Sequence, residues 1–246
     1  MLRTPPTWRS FVALLLLAGC SADEPLLPSE TFHWVAQPIV FAPPPSIWRR
    51  EGDNGGGMLG VRIARAYPDR IAHLVLTAPI GLEDYRLYVP PTPTEKILEN
   101  EDKLTADGYR KQLETNYALK LPAEQVTPFI DARFNIKGSA DYPRWLRAFV
   151  SSAQMIYREP VAHEIPLIVQ PTLFVMGADD HNAPGRANAP EALRSKMGQN
   201  AELAKALAAK MANGRAEVVP NTGHLVFLEA PARYNELLLG FLAAAP

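Results

Sequence analysis

Three short stretches of this chain carry side chains able to do chemistry, and they lie far apart in sequence. The first is the glycine-rich run Gly52-Asp53-Asn54-Gly55-Gly56-Gly57. The second, Gly177-Ala178-Asp179-Asp180, puts two carboxylates at the end of an apolar run. The third, Gly223-His224-Leu225-Val226-Phe227-Leu228-Glu229-Ala230-Pro231, puts a histidine after the last apolar run and before the last helical one. Histidine is the side chain whose ordinary pKa suits proton transfer near neutral pH. A carboxylate can fix the tautomer of such a ring and stabilise its cation. Each stretch also has a plainer reading: a turn dipeptide at Asn54-Gly55, a helix-capping carboxylate at Asp179 or Asp180, a surface histidine. Glu229 reads as a helix-start residue, its charge favourably placed at an N-terminus. The remaining histidines, His33, His73, His163 and His181, are not spaced as metal ligands.

The elements that must position these groups alternate in the manner of an α/β protein. The spacing predicts a helix over 57–67, with Leu59, Ile63 and Ala66 on its buried face and Pro68 ending it. Residues 71–77 (IAHLVLT) and 172–177 (TLFVMG) read as strands buried on both faces, and 216–219 as the last strand. Leu203, Leu207 and Met211, four apart, mark a helix closed by Asn213-Gly214 as its C-cap. Pro231 opens a final helix, with Leu238 and Phe241 towards the core. Residues 82–164 interrupt the alternation with helical stretches at 94–102, 106–119 and 142–157. The last of these carries Trp145, Leu146, Phe149 and Met155, an apolar load suited to covering a cleft.

The first fifty residues differ. Arg3 and Arg9 precede a short apolar run, 11–18, of about eight residues, against the roughly twenty a membrane-spanning helix needs. It closes on Leu17-Ala18-Gly19-Cys20, which resembles the lipobox of bacterial lipoproteins. Residues 1–19 are therefore expected to be a signal peptide, with Cys20, the only cysteine, lipidated and anchoring an exported, periplasm-facing protein. Residues 20–51 form an irregular proline-rich linker, with 24 prolines in the chain as a whole. One candidate strand, 31–41, is broken by Pro38 and suits only a sheet edge.

Composition bounds the rest. A chain of 246 residues, 47% hydrophobic and 21% charged, is large enough for a real core. A formal charge of −1 with no basic run argues against nucleic acid as a partner.

Taken with Tyr67-Pro68-Asp69-Arg70, the turn at 52–57 resembles the strand-to-helix elbow of the α/β-hydrolase family, G-x-S-x-G followed by a helix ending in a YPDR-type turn. Gly177-x-x-Asp180 resembles that family's acid motif, and Gly223-His224 through Pro231 its closing motif. The chain order nucleophile, acid, base agrees. The resemblance covers residues 52–246, and the runs 78–85 (APIGLEDY) and 190–194 (PEALR) look like the esterase-like, exported branch. It implies a mostly parallel sheet with flanking helices and a helical cap at about 82–164. It also implies a serine hydrolase acting on an ester or amide of a small molecule without metal or organic cofactor, with Asp180 orienting His224 and the Gly55 N–H serving an oxyanion.

The departure is at the nucleophile, where Asn54 stands in the place of Ser. A carboxamide cannot be activated into an attacking alkoxide, although asparagine tolerates the strained elbow backbone. The front strands of the fold are also not visible in residues 20–51. Ser46 to Glu51, with two arginines and a glutamate, stands where an apolar strand should feed the elbow. No His-Gly dipeptide, the family's source of a second oxyanion donor, occurs. Three expectations follow: an impaired hydrolase, a non-catalytic lipid-anchored binding protein, or a truncated gene product prone to self-association at an unpaired sheet edge.

Overall fold

The structure, a computed structural model, describes residues 55–117 and 119–244 together with the backbone of 32–36. Asn54, Cys20 and the segment 46–51 lie outside the described residues. Four parallel strands form one sheet in the order β1-β2-β3-β4: β1 (Phe32–Ala36), β2 (Ile71–Thr77), β3 (Thr172–Gly177) and β4 (Gly214–Val219). β1 falls inside the candidate strand at 31–41 and occupies an end of this sheet, as a strand ending near Pro38 should. β4 takes the other end, and its polar residues suit it: Arg215 and Glu217 pair with each other at the surface.

β2 and β3 are apolar almost throughout because helices cover both of their faces. Their side chains alternate. Leu74, Leu76, Phe174 and Met176 pack with Met58 and Val61 of α1 (Gly55–Ala66) in one cluster. Val75, Leu173 and Val175 pack on the opposite face with Val219, Val226, Tyr234 and Leu237. The stripe that α1 buries is Met58, Val61 and Ala64, whereas Leu59 is 54% exposed. The expected face was wrong because α1 carries apolar residues on both sides. Gly57 settles the choice: a Cβ there would stand 2.6 Å from Cβ of Pro79, so this side of the helix must press on the end of β2.

Between β2 and β3 lie α2 (Thr94–Asp102), α3 (Ala106–Asn116), α4 (Ala123–Lys137) and α5 (Tyr142–Arg158). The helix α4 was not anticipated, since it contains Pro128, which ordinarily argues against a helix interior. Its Val126 and Ile130 join Tyr109, Leu113 and Leu119 in a separate apolar cluster that also holds Leu225, the residue after His224.

After β3 come α6 (Glu191–Arg194) and α7 (Asn200–Ala208) before β4, then α8 (Val226–Glu229) and α9 (Pro231–Ala243). The helix α7 ends before Asn213-Gly214. Gly214 is instead the first residue of β4, and a Cβ there would meet Ala208 O at 2.6 Å.

Candidate active site

β3 and β4 are adjacent and parallel, so the loops that follow them emerge side by side. Gly177, the last residue of β3, lets those loops touch: a Cβ on it would overlap the carbonyl oxygens of Thr222 and Gly223. The loops are tied by Ala178 N donating to Val219 O and Asp179 N to Thr222 O, both at 2.9 Å. This stitching brings Asp180 and His224 together across 44 residues of chain. Asp180 Oδ2 lies 2.9 Å from His224 Nδ1, and both side chains are fully buried. Asp180 Oδ1 accepts the Asn182 N–H at 2.9 Å, so both oxygens of the acid are occupied.

Two further neighbours, Tyr117 and Asn182, hold His224. The His224 backbone N–H donates to Tyr117 O at 2.8 Å, and the Tyr117 ring meets the imidazole edge-on with centroids 4.9 Å apart. Asn182 Nδ2 lies 3.4 Å from Nε2, and the Asn182 carbonyl is itself held by Asn200 Nδ2 at 2.9 Å. With Nδ1–H donating to Asp180, Nε2 carries the lone pair and faces the Asn182 amide, the tautomer a general base requires.

Glu229 does not start a helix; it ends α8 and turns back. Its Oε2 accepts Gly223 N–H at 3.1 Å and Lys120 N–H at 3.2 Å, pinning the histidine loop to the segment after α3. Burial pushes its carboxyl above the usual range, and the N–H groups of Gly223 and Lys120 pull it back. Lys120 adds an ion pair to Asp179, so Asp179 serves this strap rather than the histidine.

On the other flank, Glu83 Oε1 accepts Gly198 N–H at 2.8 Å, while Gly198 O lies 2.9 Å from His181 Nδ1. Gly198, at φ +69°, packs against the His181 carbonyl so closely that no other residue fits. Gly55, the expected oxyanion donor, is the first residue of α1, where backbone N–H groups have no partner within the helix. Tyr117 and Asn182 carried no sequence signal, and Glu83 stood out only as part of the run 78–85. Glu229 was visible only as part of the closing motif. Among the described residues, no group of three or more His, Cys, Asp or Glu could hold a metal ion.

No protein-family model matches the chain. A curated 2-hydroxy-6-oxononadienedioate/2-hydroxy-6-oxononatrienedioate hydrolase from a Pseudomonas species is 24% identical over 194 residues, 78% of this chain and 62% of the relative. Among solved structures, a probable hydrolytic enzyme from Pseudomonas aeruginosa aligns with a TM-score of 0.70 at 31% identity. That match covers 76% of this chain and 61% of the other. An esterase from Exiguobacterium antarcticum aligns at 0.56 and 16% identity, over 77% and 64% respectively. The chain thus spans 61–64% of the length of these relatives.

Proposed function

We infer, from the premise that this chain belongs to the α/β-hydrolase family, that it descends from enzymes hydrolysing an ester or amide bond of a small molecule and that Asn54 leaves this chemistry impaired. One observation supports the reading above the others: the buried Asp180–His224 pair at 2.9 Å, set at the ends of neighbouring parallel strands. In acyl transfer such a pair takes a proton from an attacking hydroxyl and returns it to the leaving group. The pair by itself attacks nothing. With asparagine in the nucleophile's place, the base has no hydroxyl to deprotonate, and loss of one such group ordinarily costs about 10⁴–10⁶ in rate.

Hydrolysis of 4-nitrophenyl butyrate tests this. The wild type is expected at the background rate, with His224→Ala no lower. Hydrolysis well above background that His224→Ala abolishes would show a working nucleophile and overturn the impairment. A second reading, a non-catalytic binding protein, is favoured by a cavity of about 270 Å³ lined by cap helices together with Val89 and the loop at Pro184 and Gly185.

A further inference from the structure

The His224 ring is held by Asp180 at the end of β3, but the backbone that carries the ring is held from another side. Up to Thr222 the loop after β4 is tied to the sheet, with Asp179 N donating to Thr222 O at 2.9 Å. From Gly223 onward the partners change. Gly223 N–H goes to Glu229 Oε2 at 3.1 Å, and the same oxygen accepts Lys120 N–H at 3.2 Å. His224 N–H goes to Tyr117 O at 2.8 Å. The Leu225 side chain packs in an apolar cluster of the cap, with Tyr109 and Leu113 of α3 and Val126 and Ile130 of α4. The base and both of its chain neighbours thus lean on the cap, directly or through Glu229.

The point of attachment is the connector between α3 and α4, and it is itself fixed. Leu119 N–H donates to Leu113 O at 3.2 Å, which ties the connector back to the last turn of α3. Leu119 is buried in the same cluster as Leu225, and Tyr117 packs against that cluster while its ring meets the imidazole edge-on. Lys120 Nζ pairs with Asp179, the residue before the acid. The connector therefore grips the base through Tyr117 O and the acid loop through Lys120. A close-packed cluster relaxes when one member loses volume, so a change in α4 reaches Leu225 and the residue before it. A cap built this way cannot swing off as a rigid lid without drawing 223–225 along.

We propose that the α3–α4 connector is a positioning element for the base: Tyr117 and Lys120, with Glu229 as their clamp, set the His224 ring against Asp180, and packing inside the cap controls that alignment. These residues act through His224 and need touch no substrate. The proposal rests on reading Asp180–His224 as the acid and base of a hydrolase, and its test needs no turnover.

The experiment is proton NMR of the full chain in water. An Nδ1–H held by a carboxylate resonates far downfield of the amides, and with both side chains fully buried it exchanges slowly enough to be seen. His224→Gln identifies the signal by removing it. Ile130→Ala opens a hole in the cap cluster, away from the pair, and should shift the signal or broaden it away. Met211→Ala opens a hole against Gly214 at the start of β4, the far end of that strand from His224, and should leave the signal in place. Glu229→Ala frees the Gly223 and Lys120 N–H groups and should abolish the signal, whereas Glu229→Gln keeps an acceptor oxygen and should retain it. An unchanged signal in folded Ile130→Ala protein would overturn the proposal, as would an equal change in Met211→Ala. If Ile130→Ala does not fold, the Glu229 variants decide: a signal that survives Glu229→Ala, or that Glu229→Gln loses as well, overturns it. A wild type with no such signal would overturn the pair and the proposal together, a failure distinct from a signal that Ile130→Ala leaves alone.

Discussion

Two buried pairs among the described residues each join a carboxylate to a basic side chain, and they are built on opposite plans. Asp180–His224 sits where two core strands end, and both oxygens of Asp180 are used, one by His224 and one by the Asn182 N–H. Glu101–Arg133 spans two cap helices and leaves one carboxylate oxygen and one guanidinium nitrogen without partners. The first pair is held by backbone, through Gly177, Ala178, Asp179 and the carbonyl of Tyr117. The second is held by side chains alone, between aromatic rings. A closed hydrogen-bond set fixes a geometry for chemistry; an open one leaves buried polar atoms whose lost hydration nothing repays. Buried carboxylates are therefore better read by what each oxygen does than by burial.

The sharpest way to break this contrast is to disturb the backbone under each pair. Gly177→Ala forces a Cβ onto the carbonyls of Thr222 and Gly223 with no flexible atom to give way. We expect a loss above about 4 kcal/mol in urea unfolding, or no cooperative fold. In the cap, Gly138 has φ −84° and a Cβ there would meet nothing nearer than Phe134 O at 3.5 Å. Gly138→Ala should stay within about 1 kcal/mol of wild type. Equal costs at the two sites would remove the distinction between a backbone-held and a side-chain-held pair.

Next in size is the cap pair itself. Arg133→Met strands the Glu101 carboxylate in the interior, and we expect about 3 kcal/mol of destabilisation. Burial already pushes that carboxyl upward, with Arg133 and Lys137 opposing it, so removing Arg133 takes away the chief restraint. The double variant Glu101→Leu, Arg133→Met should recover most of the loss, since an apolar replacement needs no partner. Denaturant midpoints for the single and double variants measure this. A single variant as stable as wild type would mean that the pair contributes nothing.

These two pairs also mark how far the sequence could be read. Residues 71–77 and 172–177 match β2 and β3 because strands covered on both faces must be continuously apolar, and runs of 7 and 6 residues are short for a helix. The acid and base were legible for a related reason. Asp180 follows β3 and His224 follows β4, and adjacent parallel strands deliver their C-terminal loops to one place. Glu101 and Arg133 had no such guide. They are 32 residues apart on helices that otherwise carry many charges, one of them masked by Pro128. Only the packing of α2, α4 and α5 makes them partners. Tyr117 and Asn182 were hidden likewise, since each reaches His224 through a loop conformation rather than a periodic pattern. The exposed Leu59 shows the limit inside an element: apolar residues on both sides of α1 leave the buried face to be chosen by Gly57 and Pro79.

The smallest expected effect lies at Glu83, a third buried carboxylate that combines the two plans. Like Asp180, it holds the acid loop, its Oε1 accepting Gly198 N–H at 2.8 Å. Like Glu101, it is half satisfied, since Oε2 is buried without a partner, and the residue is only 7% exposed. Burial raises its pKa, opposed more weakly by the Gly198 N–H and by Arg186. A carboxyl whose pKa is higher folded than unfolded contributes stability that is complete below the ordinary carboxyl range and lost as pH rises through the folded value. At neutral pH the ionised group is thus a cost to the fold. Glu83→Gln keeps an acceptor for Gly198 and removes the charge, so the variant should melt above wild type at pH 7. That advantage should shrink as the pH falls into the range where the wild-type carboxyl takes up its proton, which burial sets above the ordinary carboxyl value. Thermal melts of both proteins across that range check the sign. An advantage that grows on acidification, or a variant less stable at pH 7, would mean that the ionised carboxylate supports the acid loop and that Glu83 follows Asp180's plan alone.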